Sequence, residues 1–144
     1  MEEHFVNYNQ ALALKELGFD EPCIARYIIP GDLVFKGCYE DSNIIHLELT
    51  QNDICEAHVL APLKSQVFKW FRDEYKWYAE INLDSYKEPY SLKVTIKKMD
   101  VTNTYVEKEF YPYANGIGAI DNDKYEEAES ECIDRLISII KEKK

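Results

Sequence analysis

APLKSQVFKWFRDEY, residues Ala61–Tyr75, is the stretch whose reading decides the fold. Pro62 suits the first position of a helix, where its missing N–H costs nothing. At about 100° per residue, Leu63, Val67, Phe68, Trp70, Phe71 and Tyr75 fall within an arc of about 160°. Ser65, Gln66, Lys69, Arg72, Asp73 and Lys76 take the other side, with Lys64 and Glu74 near the stripe's edges. Phe68, Trp70, Phe71 and Tyr75 put four aromatics on one helical face. Such a helix is expected to lie across a sheet and to supply much of the core.

Downstream, Trp77–Leu83 reads as a strand and Asp84–Pro89 as a loop. In Tyr90–Met99, Leu92, Val94 and Ile96 alternate with Lys93, Thr95 and Lys97, the period of a half-buried strand. Asp100–Asn103 turns the chain and Thr104–Tyr111 returns. Glu107 and Glu109 are placed to pair with lysines of the neighbouring strand. Ala114–Asn122 is a loop, and Asp123, with Glu126 three residues on, caps a last helix. There Tyr125, Ala128, Cys132, Ile133, Leu136, Ile137, Ile139 and Ile140 form the apolar side, and Glu127, Glu131 and Asp134 the opposite one. The terminal lysines complement the helix dipole.

Upstream, Asn7 and Gln10 make a capping box for a helix over Tyr8–Leu17, which Gly18 stops. Phe19 is placed to tuck back onto it. Ala25–Ile29 and Leu33–Tyr39 flank Pro30-Gly31, a type II turn pair. Ile44–Thr50 alternates as a third strand, making a meander. Gln51-Asn52-Asp53 is turn-like, and Ala57–Leu60 reads as a short extended entry into the central helix. The order is helix, three strands, helix, two or three strands, helix. The class is α+β: an antiparallel sheet of five to six strands in two hairpin or meander groups, packed against two or three helices.

A chain of 144 residues, 46% hydrophobic and 13% aromatic, has the size of one domain and enough apolar surface to fold without staples. Residues 1–144 are therefore read as a single globular domain. The net charge of −10 argues against direct nucleic acid binding, which needs Lys and Arg to displace counterions. It suits a basic protein partner, or simply a solvated surface. The acidic start MEEHFVNYNQ lacks the features of a signal peptide, and no apolar run reaches membrane length. Cys23, Cys38, Cys55 and Cys132 are irregularly spaced, as four reduced thiols of a cytoplasmic protein would be.

Chemistry-bearing patterns are fragmentary. Cys55 and His58 supply half a zinc site at most, and nothing flanking them supports an activated thiol. Asp121-Asn122-Asp123 lacks the glycine and glutamate that complete a calcium loop. Gly116 and Gly118 lack the third glycine of a dinucleotide fingerprint. No enzyme, cofactor or metal is expected. Two surface features remain as binding candidates. One is the acidic side of the last helix, Glu127, Glu131 and Asp134, against the plain reading of a solvated face. The other is an aromatic surplus, Trp77, Tyr78, Tyr86, Tyr90, Tyr111 and Tyr113, against the plain reading of core packing. Trp77, Tyr78, Tyr111 and Tyr113 are the aromatics taken as candidate partner-binding residues.

Three segments carry a resemblance: ALALKELGFDEPC (Ala11–Cys23), APLKSQVFKWFRDEY (Ala61–Tyr75) and YEEAESECIDRLISIIKEK (Tyr125–Lys143). Together they resemble a family of small uncharacterised proteins carried by phages and mobile elements of Bacteroidota. Its pattern has a helix ending in Leu-Gly-Phe-Asp-Glu-Pro-Cys, a middle helix beginning Ala-Pro-Leu with Phe-x-Trp-Phe-Arg, and a last helix built on Tyr-Glu-Glu-Ala-Glu followed by a Cys. The resemblance implies a phage or prophage setting and action in the host cytoplasm; it carries over no catalytic residue. The expected function is an accessory protein that binds a host protein, such as a basic nuclease or nucleoprotein. In its sharpest form it is an inhibitor of a host defence nuclease, similar to anti-CRISPR proteins in size and charge. The alternative is a small-molecule or nucleotide-binding module without catalysis.

Overall fold

The computed structural model describes residues 2–35, 49–84, 91–99, 104–110 and 122–143. The class is α+β, with antiparallel strands in two sheets and three α-helices among the described residues. The chain divides into two compact units, Met1–Gln66 and Val67–Lys144.

In the first unit a turn of 3-10 helix, Glu2–His4, leads into α1, Tyr8–Glu16. The capping box is present: Gln10 N–H donates to Asn7 Oδ1 at 2.8 Å, and Asn7 N–H to Gln10 Oε1 at 3.1 Å. Two donors that the helix start leaves open are thereby satisfied. Gly18 ends α1 at φ +93°, a left-handed conformation that favours glycine. Gly18 N–H then reaches the Lys15 carbonyl and Phe19 N–H the Leu14 carbonyl, the paired closure of a Schellman motif. Phe19 and Leu14 are both buried, so the tuck expected of Phe19 is present.

β1, Ala25–Tyr27, pairs antiparallel with β2, Leu33–Phe35, Ala25 standing opposite Phe35. Between them Asp32 N–H donates to the Ile29 carbonyl at 3.0 Å, with Gly31 at φ +81°. That is the position at which a type II turn requires positive φ. On its other side β1 pairs with β3, Val59–Leu60, giving the order β2-β1-β3. Among the described residues the third strand of this sheet is thus the lead to the central helix. Residues 36–48 of the expected meander lie outside the described residues, while Leu49 forms an antiparallel bridge with Cys23. α1 contacts β3, and Val6, Ala11, Leu14, Ala25, Tyr27, Val59 and Leu60 are buried.

The central helix, α2, spans Lys64–Tyr75, so Pro62 is not its first residue. Pro62 O accepts from Val6 N–H at 3.1 Å, and Leu63 forms an antiparallel bridge with Phe5. These bonds hold residues 62 and 63 extended, and winding starts after them. Gln66 Oε1 then accepts from Leu63 N–H at 3.0 Å, doing at this start what Gln10 does at α1. The division between units falls inside this helix, after Gln66.

In the second unit Val67, Trp70 and Phe71 are buried, with Phe68 and Tyr75 half-buried, as the helical spacing predicts. Trp70 packs edge-on against Phe71 and Tyr75 at centroid distances of 5.2 and 5.3 Å. Lys76, at φ +60°, turns the chain into β4, Trp77–Asp84. β4 pairs antiparallel with β5, Ser91–Met99, and β5 with β6, Thr104–Phe110. Ala79 stands opposite Ile96 and Ile81 opposite Val94, which places the apolar residues of both strands on one face. α3, Asn122–Lys143, contacts β4 and β5. Among the described residues α3 is therefore the helix that makes the main contacts with this sheet, the place the sequence reading assigned to α2. The reading of Asp123 as a cap is also corrected, because the helix already includes Asn122.

On the other face Lys97 Nζ pairs with Glu80 of β4 at 3.0 Å. In the β5–β6 register Glu109 stands opposite Thr95, while Glu107 falls at an irregularity that separates Ile96↔Lys108 from Lys97↔Val106. No helix among the described residues is long and apolar enough to cross a membrane.

Candidate functional site

The apolar stripe of α3 sets where its acidic residues go. Ala128, Cys132, Ile133, Leu136, Ile137, Ile139 and Ile140 are buried, which leaves Glu127 and Asp134 exposed and Glu131 half-buried. At offsets of four and three residues the three carboxylates follow one another along a single side of the helix. Glu131 Oε1 lies 3.7 Å from Arg135 Nη2, so one carboxylate of the row carries its own counter-charge. Tyr125, read as part of the apolar stripe, is 43% exposed and stands at the N-terminal end of this face. Partial burial, and then the nearby Glu129 and Cys132, push its phenol up from the ordinary value.

The aromatic candidates separate. Trp77 is 2% exposed and belongs to the core, which corrects its reading as an anchor for a partner. The reason is β-strand alternation: Trp77 lies on the face of Ala79 and Ile81, opposite Lys98 in the register. Lys98 Nζ and Lys143 Nζ stand 5.6 and 5.1 Å from its ring centroid, within range of a cation–π contact. Tyr78, one residue on, is half-buried on the opposite face, opposite Lys97. Tyr111 and Tyr113, like Tyr86 and Tyr90, lie outside the described residues.

The thiols separate as well. Cys23 and Cys132 are buried, and burial, with the neighbouring carboxylates adding, pushes both thiols up to about 12. At neutral pH they stay protonated and poor as nucleophiles or metal ligands. Cys55 is exposed. It is joined to His58 through the backbone, His58 N–H donating to the Cys55 carbonyl at 2.9 Å.

Two features of the first unit escaped the sequence reading. Ile24, Ile29 and Phe35 are exposed around the β1–β2 hairpin, Phe35 leaning edge-on against Phe5 at 5.3 Å. Arg26 Nε and His58 Nδ1 are buried atoms without a hydrogen-bond partner. A signal for the second was available: Arg26 is a cation inside a short apolar strand. No protein-family model, curated protein or solved structure matches the chain.

Proposed function

We propose that this chain is an accessory protein of phage or mobile-element type that acts by binding a host protein, without catalysis of its own. The supporting observation is the acidic side of α3, where Glu127, Glu131 and Asp134 follow one another beside an exposed Tyr125. A row of carboxylates attracts a basic surface and steers its approach, and a tyrosine at its end supplies apolar contact area. With a net charge of −10 the whole chain favours the same kind of partner. The sharpest form of the reading is an inhibitor that occupies the basic nucleic-acid channel of a host defence nuclease, in the manner of anti-CRISPR proteins.

The test is retention of host proteins by the tagged chain at low and high salt, repeated with Glu127→Lys, Glu131→Lys and Asp134→Lys combined. A basic nuclease or nucleoprotein should be held at low salt, released at high salt, and lost with the triple variant. Retention that survives the charge reversal rules out the α3 face as the contact.

A further inference from the structure

Among the described residues, two buried side-chain polar atoms have no hydrogen-bond partner, Arg26 Nε and His58 Nδ1. Arg26 lies in β1 and His58 immediately precedes β3, both in the first unit. Arg26 stands opposite Leu60 of β3, and Tyr27 opposite Val59. Continuing that register puts His58, the residue before β3, on the diagonal from Arg26. Alternation along the strand gives Leu60 and His58 the same face as Arg26. Diagonal neighbours in an antiparallel pair are about 7–8 Å apart, within reach of long side chains. The two unbonded nitrogens therefore belong to neighbouring positions on one face.

A buried donor left without an acceptor is costly, and such atoms in a folded protein call for a physical cause. Lack of acceptors in the sequence is not the cause, because 27 carboxylates accompany 17 Lys and Arg. Arg26 Nε always carries its proton. The imidazole Nδ1 carries one in one neutral tautomer and in the cation. A ligand that satisfies both needs two acceptor oxygens a short distance apart. That is the chemistry of a phosphate or carboxylate group, whose oxygens match the planar donor fork of arginine. Arg26 and His58 are both partly exposed as residues, so the position opens to solvent although the two atoms are covered.

We propose that Arg26 and His58 form a binding site for a small oxyanion, the phosphate or carboxylate group of a small molecule, on the β1–β3 pair of the first sheet. The proposal does not depend on the protein-binding reading of α3. It also gives the acidic chain a local place where an anion is accepted.

The test is NMR titration of the full chain with inorganic phosphate, then separately with acetate, each against chloride at matched ionic strength. The Arg26 Nε–H and His58 ring signals should move and saturate with one or both anions and stay still with chloride. Which anion acts distinguishes the phosphate from the carboxylate source. Arg26→Gln and His58→Gln should each weaken the binding by about tenfold or more, the effect of losing a hydrogen bond to a charged group. Arg26→Lys keeps the charge without the fork and should also weaken it; it serves if Arg26→Gln fails to fold. No movement of either signal with phosphate or acetate overturns the proposal. Binding that is unchanged in the variants overturns it as well, because the anion then sits elsewhere.

Discussion

In the first unit the strands of the described sheet run two or three residues, and in the second they run seven to nine. A strand of three residues turns one or two side chains to each face, too few for alternation to hold it in register. The first unit has buried apolar residues of its own, among them Val6, Leu14, Phe19 and Leu60, and adds particular polar links between distant residues. Tyr27 Oη donates to the buried Val6 carbonyl at 2.7 Å. Gln66 Nε2 donates to the Pro22 carbonyl at 2.9 Å, and Lys15 Nζ to the Glu56 carbonyl at 2.8 Å. The second unit relies on periodicity: Leu92, Val94 and Ile96 at strand spacing, and the α3 stripe at helical spacing. Both units bury apolar area; the second sets its register by long periodic strands, and the first, with strands too short for that, adds addressed bonds to its core.

The largest expected effect lies in the second unit. Trp70 is 4% exposed in an aromatic cluster, so Trp70→Ala should cost about 3–5 kcal/mol in chemical denaturation. A loss below about 1 kcal/mol would break the contrast, because the stripe would then not be supporting its unit.

Alkaline pH should act on both units, each of which holds one buried thiol among the described residues, Cys23 or Cys132. Folding raises both from the ordinary 9.0 to about 12. Below pH 9 folded and unfolded chains keep these protons, and the contribution to stability is complete. Between pH 9 and about 12 only the unfolded chain loses them, so stability falls as pH rises. At pH 10 the loss should be up to about 1.4 kcal/mol per thiol. Denaturation at pH 8 and pH 10 should show a smaller drop in Cys132→Ala than in the parent chain, and again in Cys23→Ala. Equal drops in all three would mean that neither thiol is held protonated by folding.

A smaller effect tests the addressed bonds. Tyr27→Phe keeps the ring and its edge-on contact with Tyr8 at 5.6 Å but removes the hydroxyl, leaving the Val6 carbonyl without this donor. It should cost about 1 kcal/mol. Amide exchange should rise around Val6 and β1 and stay unchanged in β4 and β5. A rise spread evenly over both sheets would mean that the two units open together, and the comparison would then describe architecture without separate stability.

How legible each part was follows the same division. Val67, Trp70 and Phe71 repeat at helical spacing and were readable as a buried stripe; so was most of the α3 stripe, with Tyr125 the exception at its open end. The turns were readable too, because Asn7 with Gln10, Gly18, and Pro30 with Gly31 carry conformational preferences within a few residues. Trp77 could not be assigned to core or surface from its type alone, since an aromatic suits both and only its register beside Ala79 and Ile81 decides. The acidic row on α3 was legible as a row, whereas the Arg135 contact that offsets Glu131 needed coordinates.

The sequence by itself determined the helix and strand order, the α+β class and the stripes that enter the core, because local preference and periodicity act over a few residues. Only the tertiary structure decided the rest. It made Val59–Leu60 the partner of β1, held Pro62 and Leu63 extended against Phe5 and Val6, and put α3 on the second sheet. It also left Arg26 Nε and His58 Nδ1 without partners. Each of these depends on which distant groups meet in space, and spacing along the chain does not encode that.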